Sequence, residues 1–391
     1  MIDSYQFLDH LTARGLRFFS GVPDSVLSGL CAGINNRLPA TDHVVAPNEG
    51  AAIALGAGHY LATGTPPVIY LQNAGLGNIV NPVVSLVSPG VYGMPMLLII
   101  GWRGEMYEED GTTAQLPDEP QHHVQGRITL GQLELMDIPY EVLDAGRQEW
   151  RKSVDRMIDR LRTDNGPAAL VVRKDTFSKV ALPKSAEAGA ARLNREEAIS
   201  CCLKSLPETV PVVATTGMAA REVFELRAQS QQGHHRDFLC IGAMGLASQV
   251  AAGIALGIPN SRVACIDGDG ALLMHMGSMA VCAGVPNLVH IVMNNEAHES
   301  VGGHPSAACG LDLSLVARTF GYKVVRRVTS SAELEQALAA ALAATGSAFI
   351  EILCAVGHRA DLGRPTIPPT RGKEILMEFL GRLSLNLSNN P

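Results

Sequence analysis

The sequence contains no apolar run long enough to cross a membrane and no cluster of basic residues. No stretch approaches the roughly 18 apolar residues that a membrane span needs. The formal net charge is −7, and nothing in the pattern suggests a surface suited to nucleic acid or to an acidic bilayer. We therefore expect no nucleic acid and no membrane as a partner.

The sequence also lacks cysteine pairs at metal-binding or redox-active CxxC spacing. Its eight cysteines are scattered through the chain, at positions 31, 201, 202, 240, 265, 282, 309 and 354. Free thiols in a reducing compartment are the expectation, rather than disulfides or zinc. The first residues, MIDSYQFLDHL, carry acidic side chains and no long apolar core, so we expect no secretory signal and a cytoplasmic location.

What the sequence does contain is the composition of a globular enzyme. Hydrophobic residues make up 47% and charged residues 18% of the 391 residues. This balance excludes a disordered chain, and the length suffices for two domains with separate cores.

The first half alternates β-branched apolar runs with helical stretches of small residues, which is typical of an α/β fold with a parallel sheet. The sequence predicts strands at 43–47, 68–72, 96–100 and 168–173, and helices at 50–64 and 78–87. Residues 103–127 are polar and longer than most connections, which predicts a functional or mobile loop.

The apolar pattern stops after residue 173 and then restarts, which indicates two α/β domains of similar size. The second set of strands is predicted at 210–214, 238–242, 263–267, 288–293, 323–328 and 349–355, with the clearest helix at 331–344. We place the first domain at residues 1–175, a linker at 176–195 and the second domain at 196–391.

Two polar motifs follow successive strands of the second half. Gly268-Asp269-Gly270 comes after one strand, and Asn294-Asn295 ends the next. Ligands of parallel sheets bind at the carboxyl ends of strands, where glycines allow close approach and helix N-termini favour anions. Taken alone, the first motif is more often an ordinary turn than a ligand site.

An aspartate at such an anion site is reasonable chiefly when a cation intervenes. Mg²⁺ prefers hard oxygen ligands and usually binds substrate phosphates as well. Asp269 offers a carboxylate, Asn295 an amide oxygen and Ala297 a backbone carbonyl. We therefore predict that the two strand ends hold Mg²⁺ and, through it, a diphosphate.

The paired motifs resemble the signature of thiamine diphosphate-dependent enzymes, in particular 2-keto acid decarboxylases. The resemblance implies thiamine diphosphate and Mg²⁺ as cofactors. Two further turns after strands fit it: TTGMAAREV at 215–223 and GAMGLASQVAAG at 242–253. Met244 would support the bent cofactor, and the remaining cofactor-binding positions would be Thr215, Thr216, Gly217, Gly242, Gly268, Asp269, Gly270 and Asn295.

The first half carries the matching glutamate. In this family a glutamate at a strand end, before an alanine-rich helix, binds the aminopyrimidine ring and helps to activate the cofactor. HVVAPNEGAAIALGAGHYLATG fits that pattern and implies this role for Glu49. A lone glutamate before a helix is otherwise a cap or a helix-dipole partner.

The resemblance also implies an architecture and an assembly. The first domain would bind the pyrimidine and the second the diphosphate, each as a parallel sheet flanked by helices, without the middle domain of longer relatives. Because the two halves of a cofactor site come from different subunits in this family, a homodimer or larger homo-oligomer with sites at the subunit interface is implied.

Within the family, the sequence is most similar to phosphonopyruvate decarboxylases, through GVPDSVL (21–27), WRGE (102–105), DEPQHHVQGRIT (118–129) and NNEAHESVGGHP (294–305). The implied carboxy-lyase reaction converts 3-phosphonopyruvate to phosphonoacetaldehyde and CO₂ in phosphonate biosynthesis. Candidates for proton transfer are Asp24, His122 and His123. Candidates for binding the substrate and its phosphonate are Arg103 foremost, then Ser25, Asn73 and His298.

Two departures from that pattern leave alternatives open. Residues 106–117 read as an insertion, and Asn294 stands where relatives often have aspartate. A sulfopyruvate decarboxylase, which acts on a sulfonate with one charge fewer, is the nearest alternative. A non-catalytic α/β binding protein is more distant, since it needs no Glu49. A Rossmann dehydrogenase is disfavoured because no GxGxxG motif opens either half.

Overall fold

The computed structural model describes residues 1–109, 112–146, 149–181 and 192–388. The chain divides into two compact units, Met1–Pro183 with Val301–His304, and Lys184–Ser300 with Pro305–Pro391. No helix among the described residues is both long and apolar enough to cross a bilayer. All eight cysteines are free thiols, which confirms the expectation from their spacing.

The first domain is built on a six-stranded parallel sheet of order β2-β1-β3-β4-β8-β7. Its elements are α1 (Ser4–Ala13), β1 (Phe19–Gly21), α2 (Ser28–Arg37), β2 (His43–Val45), α3 (Glu49–Thr63), β3 (Val68–Gln72), α4 (Leu76–Pro82), β4 (Met96–Gly101), β5 (Met106–Glu109), β6 (Thr112–Gln115), α5 (Pro120–Leu135), β7 (Tyr140–Leu143), α6 (Trp150–Thr163) and β8 (Pro167–Val172).

Helices cover both faces of this sheet, which explains its continuous apolar strands. Along β4, Leu97 and Ile99 join the core under α1, α2 and α6. Leu98 and Ile100 join the opposite core, under α3, α4 and α5. Because successive side chains point to opposite faces, a strand buried on both faces has no polar alternation.

The second domain has a six-stranded parallel sheet of order β10-β9-β11-β12-β16-β15. Its elements are α7 (Arg195–Ser205), β9 (Val212–Ala214), α8 (Met218–Gln229), β10 (Asp237–Leu239), α9 (Ala247–Gly257), β11 (Val263–Gly268), α10 (Asp269–Met274), α11 (Met279–Ala283), β12 (Leu288–Asn294), β13 (Ala297–His298), β14 (His304–Pro305), α12 (Leu313–Phe320), β15 (Val324–Val328), α13 (Ser331–Ala343), β16 (Ala348–Leu353) and α14 (Pro369–Ser388).

The two sheets share one topology. When the six strands of each sheet are numbered in chain order, both read 2-1-3-4-6-5. The chain therefore contains two copies of one fold, although its halves show no obvious sequence repeat. The predicted fold class, two α/β domains with parallel sheets flanked by helices, is confirmed.

The prediction of a loop over residues 103–127 is wrong for most of its length. Met106–Glu109 and Thr112–Gln115 pair as an antiparallel hairpin, and α5 begins at Pro120 with the proline in its first turn. A two-stranded hairpin lacks the apolar run of a sheet strand, and proline is compatible with a first helical turn. Residues 110–111 lie outside the described part.

The predicted linker contains both ordered and undescribed residues. Thr176 and Phe177 are buried, and Phe177 forms a parallel bridge with Ile2 of the first domain. At the other end, α7 begins at Arg195 with a capping box between Asn194 and Glu197. Residues 182–191 lie outside the described residues.

Candidate active site

An open cleft lies in the second domain, at the carboxyl ends of three neighbouring strands. Thr215 follows β9, Asp269 follows β11 and Asn295 follows β12, and all three line the cleft. The parallel sheet order β9-β11-β12 is what brings these residues together, although they are far apart in sequence.

Asp269 is a buried carboxylate at the start of α10. Its oxygen accepts a hydrogen bond from the Ser306 hydroxyl, and the backbone N–H groups of Gly270 and Asn295 also favour its charged form. Burial outweighs these contacts and raises its pKa to about 6. A divalent cation beside Asp269 would relieve this desolvation.

The two asparagines at the end of β12 point in different directions. The Asn294 amide donates to Glu351 in the core at 2.8 Å. The Asn295 side chain lies in the cleft, where its Oδ1 accepts from the Ala297 backbone N–H at 3.1 Å. An amide oxygen is thus present near Asp269, and hard oxygen donors of this kind fit Mg²⁺.

The rest of the cleft suits an anion. The Thr215 hydroxyl is buried and has no hydrogen-bond partner within the described residues. Gly217 has φ +97°, a conformation that side chains rarely adopt, and Thr216 lies beside it in the lining. A side chain at Gly268 would point into open space. An unsatisfied donor beside glycine backbone fits a diphosphate, which needs close approach and hydrogen bonds.

Met244, predicted from the sequence to support the cofactor, also lines the cleft. The turn that presents it contains Ala243 at φ +52° and Gly245 at φ +89°. A Cβ atom at Gly245 would lie 2.8 Å from the His275 ring and 2.9 Å from the Ala271 carbonyl oxygen. Gly242 is partly exposed in the same turn and does not line the cleft.

His298 lines the cleft as a neutral group. Burial lowers its pKa to about 4, so it carries no positive charge near neutral pH. A Cβ atom added at Gly270 would lie only 2.7 Å from the His298 Cε1 atom, so glycine leaves room for this ring. His298 can therefore offer a substrate a hydrogen bond but no charge.

A buried ion-pair cluster beside the cleft was missed by sequence reasoning. The Arg195 guanidinium binds both carboxylate oxygens of Glu222, at 2.7 and 2.8 Å, and also donates to Glu299. Arg195 and Glu299 line the cleft. The partners lie 27 and 104 residues from Arg195, and no local motif signals pairs at such separations.

In the first domain, Glu49 is buried at the N-terminus of α3. Its Oε2 atom accepts from the Asn78 amide at 2.7 Å. A Cβ atom at Gly75 would lie 2.5 Å from the Glu49 Oε1 atom, so glycine is needed to leave room for this carboxylate. Glu49 is thus held rigidly at the carboxyl end of β2.

A second polar cluster of the first domain begins at Asp24, after β1. Asp24 is fully buried. It accepts from the backbone N–H groups of Val26 and Leu27, at 2.9 and 3.1 Å, and from the Gln72 amide at 2.7 Å. Burial raises the pKa of Asp24 despite these bonds. A carboxyl group in that state is suited to proton exchange.

Arg103, at the end of β4, belongs to the same cluster. It forms a two-pronged pair with Asp118, with Nε 2.8 Å from the Asp118 Oδ2 atom, and donates to the Ser25 hydroxyl at 3.1 Å. Asn73 is buried, and its amide bonds the Arg103 backbone and Thr129. Asn73 therefore holds Arg103 in place, with both of its N–H donors already used.

The tandem histidines differ in environment. His122 is buried, and its Nδ1 atom has no hydrogen-bond partner within the described residues. Burial, followed by the nearby charge of Arg103, lowers its pKa to about 4. His123 is exposed, with Nε2 2.9 Å from the Asp118 carbonyl oxygen. The buried Nδ1 atom of His122 is thus available to a ligand, whereas the His123 ring lies at the surface.

Comparison with known proteins identifies both halves. Residues 4–131 match the family described as thiamine pyrophosphate enzyme, N-terminal TPP binding domain. Residues 214–352 match the corresponding C-terminal TPP binding domain. These two matches agree with the duplicated topology of the sheets.

Full-length relatives agree with these matches. Phosphonopyruvate decarboxylase of Streptomyces viridochromogenes is 36% identical over 94% of this chain and 92% of its own. That of Streptomyces hygroscopicus is 34% identical over 97% of this chain and 94% of its own. Sulfopyruvate decarboxylase of Methanosarcina acetivorans is 26% identical over 86% of this chain and 88% of its own.

Proposed function

Because the chain belongs to the phosphonopyruvate decarboxylase family of thiamine diphosphate enzymes, we propose that it converts 3-phosphonopyruvate to phosphonoacetaldehyde and CO₂ in phosphonate biosynthesis. The observation that carries this proposal is identity of 34–36% to two phosphonopyruvate decarboxylases over nearly the whole chain. The sulfopyruvate decarboxylase of comparable coverage is 26% identical.

The second domain would hold thiamine diphosphate through Mg²⁺. Asp269, Asn295 and the Ala297 carbonyl would bind the cation. Thr215 would donate to the diphosphate with its hydroxyl, which has no partner in the part of the chain that the structure describes. When bound, the cofactor supplies the carbon nucleophile and accepts the electrons released as CO₂ leaves. Met244 would support the cofactor from the side of the cleft.

The first domain would handle protons and the substrate. Glu49, held by Asn78, would hydrogen-bond the pyrimidine and exchange a proton with it. Asp24, whose pKa burial raises, and His122, whose Nδ1 atom has no hydrogen-bond partner among the described residues, are the proposed groups for proton transfer to the product. His123 is exposed and is the weaker candidate.

Arg103 is the proposed anchor for the phosphonate, and substitution of Arg103 by lysine tests it. Lysine keeps the positive charge but lacks the several guanidinium N–H donors that bind Asp118 and Ser25 at the same time. Charge-assisted hydrogen bonds contribute about 1.5–3 kcal/mol each, so we expect KM for phosphonopyruvate to rise roughly 10- to 100-fold, with a smaller change in kcat. Steady-state kinetics measure both.

Arg359 provides the matched control for this variant. Its guanidinium is paired with Glu196 and Glu225 at the surface of the second domain. Arg359→Lys should leave KM within about twofold. Equal effects of the two substitutions would contradict a specific role for Arg103.

A decarboxylation assay with phosphonopyruvate and sulfopyruvate in parallel tests the substrate. We expect aldehyde formation from phosphonopyruvate that requires both thiamine diphosphate and Mg²⁺, with sulfopyruvate turned over far less efficiently. Preference for sulfopyruvate would overturn the substrate assignment and leave the cofactor assignment standing. Turnover without added or bound cofactor would overturn both.

We further propose a homodimer or larger homo-oligomer whose cofactor sites lie between subunits. Apolar side chains are exposed on both domains. They include Leu55, Leu61, Val80 and Val84 in the first domain and Val250 and Leu256 in the second. Because contiguous exposed apolar patches mark subunit contacts, we propose α3, α4 and α9 as the helices that form the contact.

Mixing two inactive variants tests where the sites lie. In a hybrid of Glu49→Gln and Asp269→Ala subunits, one interface site would contain both substitutions and the other none. Activity should therefore return, towards a quarter of the wild-type value for random mixing of dimers. No recovery in a mixture proven to exchange subunits would contradict sites at the interface.

A further inference from the structure

The orientation of the Asn295 side chain is fixed at both of its ends. Its Oδ1 atom accepts from the Ala297 N–H at 3.1 Å, while its Nδ2 atom donates to Glu299 at 3.0 Å. A reversed amide would place Oδ1 against the Glu299 carboxylate and Nδ2 against an N–H donor. Both contacts would then be repulsive, so the Asn295 oxygen occupies one defined position in the cleft.

Glu299 can fix the orientation of the Asn295 amide because the Glu299 carboxylate is itself held by other side chains. It is buried, with its side chain 7% exposed, and the Oε2 atom that accepts from Asn295 also accepts from Arg195. Arg195 is in turn held by the two oxygens of Glu222, on α8. The amide of Asn295 is thus tied to two helices of the domain.

The charges of this cluster favour a cation in the cleft. Arg195 compensates one of the two carboxylates, Glu222 and Glu299, and leaves one negative charge. Asp269, buried in the same cleft, adds a second. A buried excess of negative charge is costly unless a cation neutralises it.

We propose that Glu299, anchored by Arg195, is a positioning residue that directs the amide oxygen of Asn295 toward Mg²⁺ and thereby sets the affinity for the metal. This inference rests on the proposed magnesium site. It assigns Glu299 no contact with the metal or substrate, only control of a ligand's orientation.

Substitution of Glu299 by methionine removes the acceptor oxygens with little change in size. The Asn295 amide then has no carboxylate beside it and loses its fixed orientation. Since partners of metal ligands typically contribute 10- to 100-fold to metal affinity, we expect Kd for Mg²⁺ to rise roughly 10- to 100-fold, measured by calorimetric titration with saturating thiamine diphosphate.

A second substitution separates positioning from mere structural support. Asn295→Asp provides a ligand whose two oxygens are equivalent, so orientation no longer matters. In the Glu299→Met background no carboxylate opposes it, and the double variant should recover Mg²⁺ affinity to within about fivefold of wild type. Asn295→Asp alone, which faces the Glu299 carboxylate, should not.

Further variants determine how a negative result is interpreted. His358→Ala removes the other partner of Glu299, which lies 2.8 Å from its Oε1 atom, and should leave Kd within about twofold. Glu299→Gln keeps one oxygen in the place of Oε2, which can accept from both Asn295 and Arg195, and should also stay close to the wild-type Kd. Unchanged Mg²⁺ affinity in Glu299→Met, or a loss that the double variant does not recover, would overturn the proposal. Absence of Mg²⁺ binding by the wild-type protein would instead contradict the proposed function.

Discussion

Replacing Asp269 with asparagine is expected to make the metal-free protein more stable at pH 7 and to abolish its stabilisation by Mg²⁺ and thiamine diphosphate. The carboxylate is buried, and burial raises its pKa from the ordinary 3.8 to about 6. This rise in the pKa corresponds to roughly 3 kcal/mol, and compensating losses lower the expected gain to about 1–3 kcal/mol. Asparagine keeps an oxygen for the Ser306 hydroxyl.

The sign of the pH dependence follows from the direction of this shift. A carboxyl group with a raised folded-state pKa is destabilising where it is charged, above about pH 6, and is without penalty where both states are protonated, below about 3.8. The metal-free wild type should therefore lose stability between pH 4 and 6 relative to the Asp269→Asn variant. Urea unfolding at pH 4.5 and 7, with and without the cofactors, measures this difference.

Asp267 supplies the control two residues earlier. It is also buried, but its carboxylate is paired with His290 and accepts from the Gly268 N–H. Asp267→Asn removes a satisfied interaction and should lower stability at pH 7. Equal destabilisation by the two substitutions would show that the Asp269 carboxylate is not an uncompensated charge that a cation would neutralise.

The sequence could predict that Asp269 follows a buried strand because the ends of such strands can be located in the sequence. Strands such as β11 and β12 are buried on both faces and so read as continuous apolar runs. β1 and β7, with three and four residues, gave no such run and were missed. Their absence left the identical topology of the two sheets unrecognised.

Partnerships between side chains were far less predictable than the positions of strand ends. Arg103 was predicted as the first candidate to bind the phosphonate, but no pattern indicated that it pairs with Asp118. Asn73 was predicted to contact substrate, but its amide holds the Arg103 backbone. Glu299 lies within the segment NNEAHESVGGHP (294–305), yet its partner Arg195 is 104 residues away. Pairings of this kind depend on packing, which no local pattern encodes.

Substitution of Glu49 by glutamine should abolish turnover while leaving the fold and the affinity for Mg²⁺ nearly unchanged. Glutamine keeps an oxygen that can accept from the Asn78 amide, and it fits the space that Gly75 leaves free. What it cannot do is exchange a proton. Because positioned acid–base groups contribute about 10²- to 10⁴-fold, we expect kcat to fall by that factor.

Two measurements distinguish a chemical role of Glu49 from a structural one. Exchange of the proton on the reactive carbon of bound thiamine diphosphate, followed by NMR in D₂O, should slow in parallel with kcat. Asn78→Ala, which removes the hydrogen-bond partner but leaves the carboxylate, should slow exchange much less. If Glu49→Gln lowers kcat but leaves proton exchange unchanged, Glu49 acts after cofactor activation, and the role inferred from the family pattern would have to move to the protonation of product.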